Sequence, residues 1–234
     1  MILGLQYIVD CRLILDSNYM KVQIVSATQT VVSHLRDRII TADLAPGQRL
    51  NETLLASALG ISRPPLREAL RILETERLVV SVPRKSTYVT DASKKDFEEI
   101  SEARLMIEGY SIDLLKKKEV KDFSFLDAAL NEASMAGIKS IMDDPMEILR
   151  YLRVFADFHV KLVMLTGNSR LIHYHQSILN SLCRYQFAYF SKRSSQMLLD
   201  EHRLILDYLK AGDYGQAKQA LLTNICYRFE SLTK

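Results

Sequence analysis

Hydrophobic residues in the first third of the chain recur at the spacing of three short helices. Val31, Val32, Leu35 and Ile39 fall at intervals that fill one helix face, and Pro46-Gly47 ends that pattern. Asn51 then stands where an N-cap is favoured; Leu54, Leu55 and Leu59 supply the next apolar face, and Gly60 closes it. A third helix is predicted to open at Ser62 as its cap, with Pro64 and Pro65 in the first turn, where a missing backbone N–H costs little. Leu66, Ala69, Leu70 and Leu73 form its core stripe, while Arg63, Arg67 and Arg71, four apart, form a separate stripe that faces outward.

Two short helices joined at a glycine turn, the second bearing arginines near its start, predict a helix-turn-helix. In "LVVSVPRKSTYVT" β-branched runs flank Pro83, Arg84, Lys85 and Ser86, which predicts a hairpin with a basic tip, the wing of such a module. Beyond Asp91 the pattern holds no further strand and predicts six helices, over 94–118, 122–138, 145–166, 169–190, 194–211 and 214–232. The expected fold class is mainly α: an N-terminal winged helix-turn-helix with a small β-hairpin wing, then an all-α bundle of six or seven helices. The expected division is an N-terminal extension of unknown role at 1–24, the winged module at 25–90 and the helical domain at 91–234. About 140 residues suffice for the bundle to bury its own core and enclose a cavity for a small ligand.

Composition narrows this. Over 234 residues, 48% hydrophobic and 25% charged is ordinary for a folded protein. The net charge of +3 says little, but residues 21–90 carry 10 Lys and Arg against 6 Asp and Glu, whereas 91–234 carry 20 of each sign. The basic surplus lies wholly in the winged module, as suits a surface that meets phosphate. Cys11, Cys183 and Cys226 are an odd count without CxxC spacing, so neither a disulfide framework nor a zinc ribbon is suggested and a cytoplasmic location is expected. The apolar first stretch lacks a basic leader and is broken by Asp10, Arg12 and Asp16, so no membrane span or export signal is expected; a helical or strand segment packing on its own domain or a partner, and a true start further on at Met20, are equal alternatives.

The residues then become recognisable. Pro46-Gly47, Leu50, Leu55-Ala56, Leu59-Gly60, Ser62-Arg63 and Leu66-Arg67-Glu68-Ala69-Leu70 together resemble the signature of the GntR family of bacterial transcription regulators. Two positions depart from it: Arg77 stands where the family usually has glycine before the first wing strand, and Ser86 replaces the usual wing glycine. The C-terminal region is similar to the all-helical FCD ligand-binding domain, through Arg104 and Glu108 in "RLMIE", through "FHVKLVMLTGN", and through "DEHRLILDYLKAGD".

The resemblance implies a homodimeric regulator, not an enzyme, that binds double-stranded operator DNA and senses a small-molecule effector, an organic acid being the expected class. Spacing alone leaves Arg63, Arg67 and Arg71 balanced between a solvated face and DNA contact; the resemblance favours DNA. Arg63 and Arg67 can then reach guanine edges, whose O6 and N7 match two guanidinium donors. Ser62 is expected to meet phosphate besides capping, and Arg84 and Lys85 to meet the minor groove or backbone. Arg104 is either one half of an ion pair with Glu108 four residues on, or a pocket arginine for a carboxylate.

Most FCD domains hold a divalent metal through one aspartate and three histidines. The corresponding positions here are Phe155, His159, His202 and Asn224, so the site is degraded, with His159 and His202 as residual candidates; no cofactor is expected, a divalent metal such as zinc being the alternative. His159 is then either a satisfied core histidine or part of a polar effector cluster with His202, Asn224 and Arg104. His173 and His175, two apart on another helix, are expected to be structural. One alternative is a helical domain that only dimerises; a remote one is an enzyme using His159 and His202.

Overall fold

The computed structural model describes residues 26–135, 144–190 and 195–230. The extension at 1–24 and the predicted helix ends at Ile138, Ser194 and Leu232 lie outside the described residues. Helix α1 (Ala27–Ile40) opens at Ser26, whose side chain accepts from the Gln29 backbone N–H, and buries Val31, Val32, Leu35 and Ile39 as the pattern requires. A two-residue strand, β1 (Arg49–Leu50), precedes α2 (Glu52–Ala58), whose cap Asn51 accepts from the backbone N–H groups of Thr53 and Leu54. Then come α3 (Arg63–Thr75), β2 (Val79–Val82) and β3 (Ser86–Val89). The three strands form an antiparallel sheet of order β1-β3-β2, with Val82 opposite Ser86 at the hairpin end and Arg49 opposite Tyr88. Leu35, Leu66, Ala69, Leu73, Leu78 and Val89 lie in one core that joins the first three helices to the sheet.

Three local expectations are corrected. Leu54 is 68% exposed, because α2 turns Ala56, and in part Leu55 and Leu59, toward that core and leaves Leu54 on the opposite face. Ser62 occupies the N-cap position of α3 with an extended backbone, yet its hydroxyl makes no capping bond. Ser86 is an ordinary strand residue whose hydroxyl accepts from Arg49 Nε at 3.0 Å; the positive φ of the wing turn falls on Arg84, at 61°. That turn is closed by the Lys85 N–H on the Val82 carbonyl with Pro83 and Arg84 between, so Arg84 holds the third position, where a positive φ favours glycine. Arg77 likewise takes φ 57°, the left-handed conformation that glycine adopts without strain.

The remainder is helical: α4 (Lys94–Lys117), α5 (Ser124–Met135), α6 (Pro145–Met164), α7 (Ser169–Phe190), α8 (Ser195–Lys210) and α9 (Tyr214–Glu230). Ser93 and Asp144 cap α4 and α6, and Pro145 occupies the first turn of α6. Ile112, Leu130, Phe155, Phe158, Leu206 and Leu221 belong to the principal core, drawn from α4, α5, α6, α8 and α9. The winged module rests on this bundle along α6 and α7: Ile40 of α1 packs with Leu149, Ala156 and Cys183, and Arg153 of α6 pairs with Asp37 of α1.

Candidate functional site

Two groups of polar residues stand out, one on the surface and one wholly buried. On the surface, the arginines of α3 are tethered to the start of α2. Arg63 Nη2 donates to Thr53 Oγ1 at 2.8 Å, and Arg67 Nε to Glu52 Oε2 at 2.8 Å. Binding Arg67 through Nε leaves its two terminal nitrogens for a bidentate partner, the geometry guanine or phosphate requires. Arg71 lies 3.7 Å from Glu68 with its side chain 78% exposed, too open for that pairing to fix it. Ser62, Arg84 and Lys85 are exposed as well.

The buried group centres on Glu108 of α4. Arg104 Nε donates to Glu108 Oε1 at 2.5 Å, His175 Nε2 of α7 meets the same oxygen at 2.8 Å, and His159 Nδ1 of α6 meets Oε2 at 2.8 Å. His159 Nε2 then lies 2.9 Å from His202 Nε2 of α8, whose Nδ1 is 2.7 Å from the Leu198 carbonyl. None of these five side chains is more than 1% exposed, and Asn224 of α9 is equally buried, with Nδ2 donating to Glu201 at 3.0 Å. Arg104, His159 and His202 are thus brought together. No bond joins Asn224 directly to them. His175, expected to be structural, is part of the cluster, while His173 is exposed.

Protonation follows from the contacts. Burial alone would raise the Glu108 pKa, but the Arg104 guanidinium, then His159 and His175, drive it well below the usual carboxylate range. Burial, followed by Arg104, pushes His159 from 6.5 to about 4 against the pull of Glu108. An ionised carboxylate and a carbonyl can only accept, so His159 and His202 each carry their proton on Nδ1. The same accounting puts the His175 proton on Nε2. Its Nδ1, the Asn224 Oδ1 and the Arg104 Nη2 are all buried without a protein partner. Leaving a buried polar atom unpaired costs roughly 1–3 kcal/mol, so each of the three favours a further polar partner.

Arg104, Glu108, His159, His175 and His202 bond to one another in one buried chain, with Asn224 beside it. Among the depressions at the surface of the described residues, one of about 440 Å³ is lined by Gln196, Met197, Asp200, Glu201 and Leu204, and another of about 330 Å³ lies beside Glu74, Arg77, Thr90 and Asp96. Glu201 links the first of them to Asn224.

Comparison with known proteins now decides the family. Residues 27–89 match the bacterial regulatory proteins of the gntR family, and residues 99–225, more than half of the chain, match the FCD domain. The chain belongs to the GntR family, in the branch that carries an FCD domain. Among its relatives, the HTH-type transcriptional regulator YdhC of Bacillus subtilis is 29% identical over 203 residues, covering 86% of this chain and 88% of YdhC. The gluconate operon transcriptional repressor of the same organism is 26% identical, covering 83% and 80%. A GntR transcriptional regulator from Rhodococcus sp. RHA1 has a crystal structure that superposes with a TM-score of 0.70 at 25% identity, covering 89% of this chain and 98% of that one. GntR proteins are DNA-binding transcription regulators, and this chain is one.

The family's metal can be tested against this GntR protein's own residues. His159 and His202 have their Nδ1 atoms anchored on oxygen and their Nε2 atoms convergent, as metal-binding histidines do. The other two positions do not fit: the Phe155 ring packs 4.6 Å from the His202 ring, and the Asn224 amide is turned to Glu201. Asp157, two residues before His159, is drawn to Lys161 at 2.6 Å and takes no part. Among the described residues no set of three His, Cys, Asp or Glu side chains converges on a metal position. A closed metal site is not formed by these residues.

Sequence reasoning missed His175 and undervalued Glu108, and a signal existed for both. His175 lies in register with Leu179 and Leu182, which are buried, and Glu108 with Arg104, Ser111 and Leu115 on the buried side of α4. A charged or imidazole side chain at a core register implies a partner there.

Proposed function

We propose that this GntR regulator is a cytoplasmic homodimer whose winged modules, residues 25–90, read the half-sites of a palindromic operator. Ser62, Arg63, Arg67 and Arg71 of α3 enter the major groove, and Arg84 and Lys85 of the wing meet the adjacent backbone or minor groove. The helical domain, 91–234, dimerises and binds a small organic acid at Arg104, His159, His202 and Asn224, joined by His175. Relatives named as repressors, the gluconate operon repressor among them, support repression as the sign of regulation. Among the described residues no helix is long and apolar enough to cross a membrane.

The observation that carries the effector assignment is the Arg104 guanidinium, 1% exposed, with Nη2 unpartnered, together with the unpaired Nδ1 of His175, whose ring meets the same carboxylate oxygen. A carboxylate there would accept from Nη2, and a ligand hydroxyl would donate to an imidazole nitrogen. The mutual pairing of Arg104, Glu108, His159, His175 and His202 gives the dimerisation-only alternative its specific support, so the experiment must separate the two. Thermal unfolding of the full chain with millimolar gluconate, citrate or benzoate, with and without zinc, should show stabilisation by at least one carboxylate, lost in Arg104→Met and unaffected by zinc. No stabilisation by any small carboxylate would leave the helical domain as a dimerisation module.

A further inference from the structure

Helix α7 spans the buried cluster and the DNA-binding module. His175 meets Glu108; six residues on, Ser181 Oγ donates to the Glu76 carbonyl at 2.5 Å; nine residues on, Arg184 Nη1 donates to Thr90 Oγ1 at 3.1 Å and Nη2 to the Thr90 carbonyl. Glu76 is the C-cap residue of α3. Thr90 follows β3, where the wing returns toward the bundle, and its hydroxyl also reaches the Arg77 carbonyl at 2.7 Å. Ser181 and Arg184 are 7% and 6% exposed, and Asp91 and Asp96 act electrostatically on the guanidinium. Two side chains of the effector domain therefore grip the end of the recognition helix and the root of the wing. Two of the three bonds, to the Glu76 and Thr90 carbonyls, are to backbone and fix orientation whatever the side chains there.

We infer that Ser181 and Arg184 are positioning residues for operator recognition, which set the angle of each recognition helix on the helical domain and thereby the half-site spacing the dimer accepts. This rests on the dimeric operator-binding reading above. In a two-fold complex the distance between recognition helices must match the separation of half-sites, and each base pair inserted turns one half-site by about 35° around the duplex. A module fixed at the end of α3 and the root of the wing, besides the Arg153–Asp37 pair and the Ile40 packing at α1, tolerates such a change poorly; one held at α1 alone can pivot and tolerates it better. Because α7 is continuous, His175 and Arg184 lie about 13 Å apart along it, and a shift of His175 in the cluster moves Arg184 with it.

The test begins by selecting the tightest duplex for the full-length protein from a randomised pool, then building versions with one to four base pairs added to or removed from the central spacer. Unaltered protein should prefer one spacing sharply. Arg184→Ala should lose about tenfold at that spacing while changing less than about threefold at the others, so that discrimination collapses; Ser181→Ala, a milder change, should move the same way. A merely structural role would weaken all spacings in parallel, and that result overturns the inference, as does an unchanged profile in both variants. If the unaltered protein showed no spacing preference, the dimeric reading itself would fall and this inference with it.

Discussion

At the scale of single residues, Glu108 governs the helical domain. Fully buried, it is tolerable as a carboxylate because Arg104 and two imidazoles surround it. Removing the cation strands the anion, so Arg104→Ala should lower unfolding stability by about 3–5 kcal/mol, measured in urea at fixed protomer concentration. The pH dependence has a definite sign. His159 in the folded chain titrates at about 4, below the 6.5 of the exposed group, so between these values the unfolded chain binds more protons. Its contribution is present in full above pH 6.5 and is lost as pH falls toward 4; Glu108, also lowered, adds a loss of the same sign at the acid end. Urea midpoints should therefore drop between about pH 7.5 and 5, and His159→Gln should flatten that drop. An unchanged slope in the variant would place the titration elsewhere.

At the scale of elements, periodicity identified what was repeated and missed what was brief or contextual. The stripes of α1 and α3 and the run of helices after Asp91 were legible because four or more apolar side chains in register leave few alternatives. Strand β1 was not, since Arg49–Leu50 has no room for alternation and exists by pairing with β3. His175 was set aside because its neighbour His173 points to another face; only the packing of α7 against α4 tells them apart. Arg77 was legible as a departure from a family glycine, and the structure supplies its consequence. The left-handed conformation costs a non-glycine residue roughly 1–2 kcal/mol, part of which glycine gives back through its freer unfolded chain. Arg77→Gly should stabilise by about 0.5–1 kcal/mol in thermal or urea unfolding. In the opposite direction, Leu66→Ala at the centre of the winged core should cost about 2–5 kcal/mol.

At the scale of the whole molecule, a basic winged module and a neutral helical domain share one interface along α6 and α7. The sequence separated them through the charge asymmetry and the two family signatures. It could not reveal how they are joined, because Asp37 with Arg153, and Thr90 with Arg184, are each about a hundred residues apart along the chain. Operator reading by the α3 arginines is tested by affinity for the selected duplex as a function of salt. Unaltered protein should bind that duplex far more tightly than scrambled DNA of equal length, with affinity falling steeply as salt rises. A variant carrying Arg63→Ala and Arg67→Ala should lose about 2–6 kcal/mol of discrimination between the two duplexes and keep its fold by circular dichroism. If the double variant bound the selected duplex as tightly as the unaltered protein, the account would be contradicted.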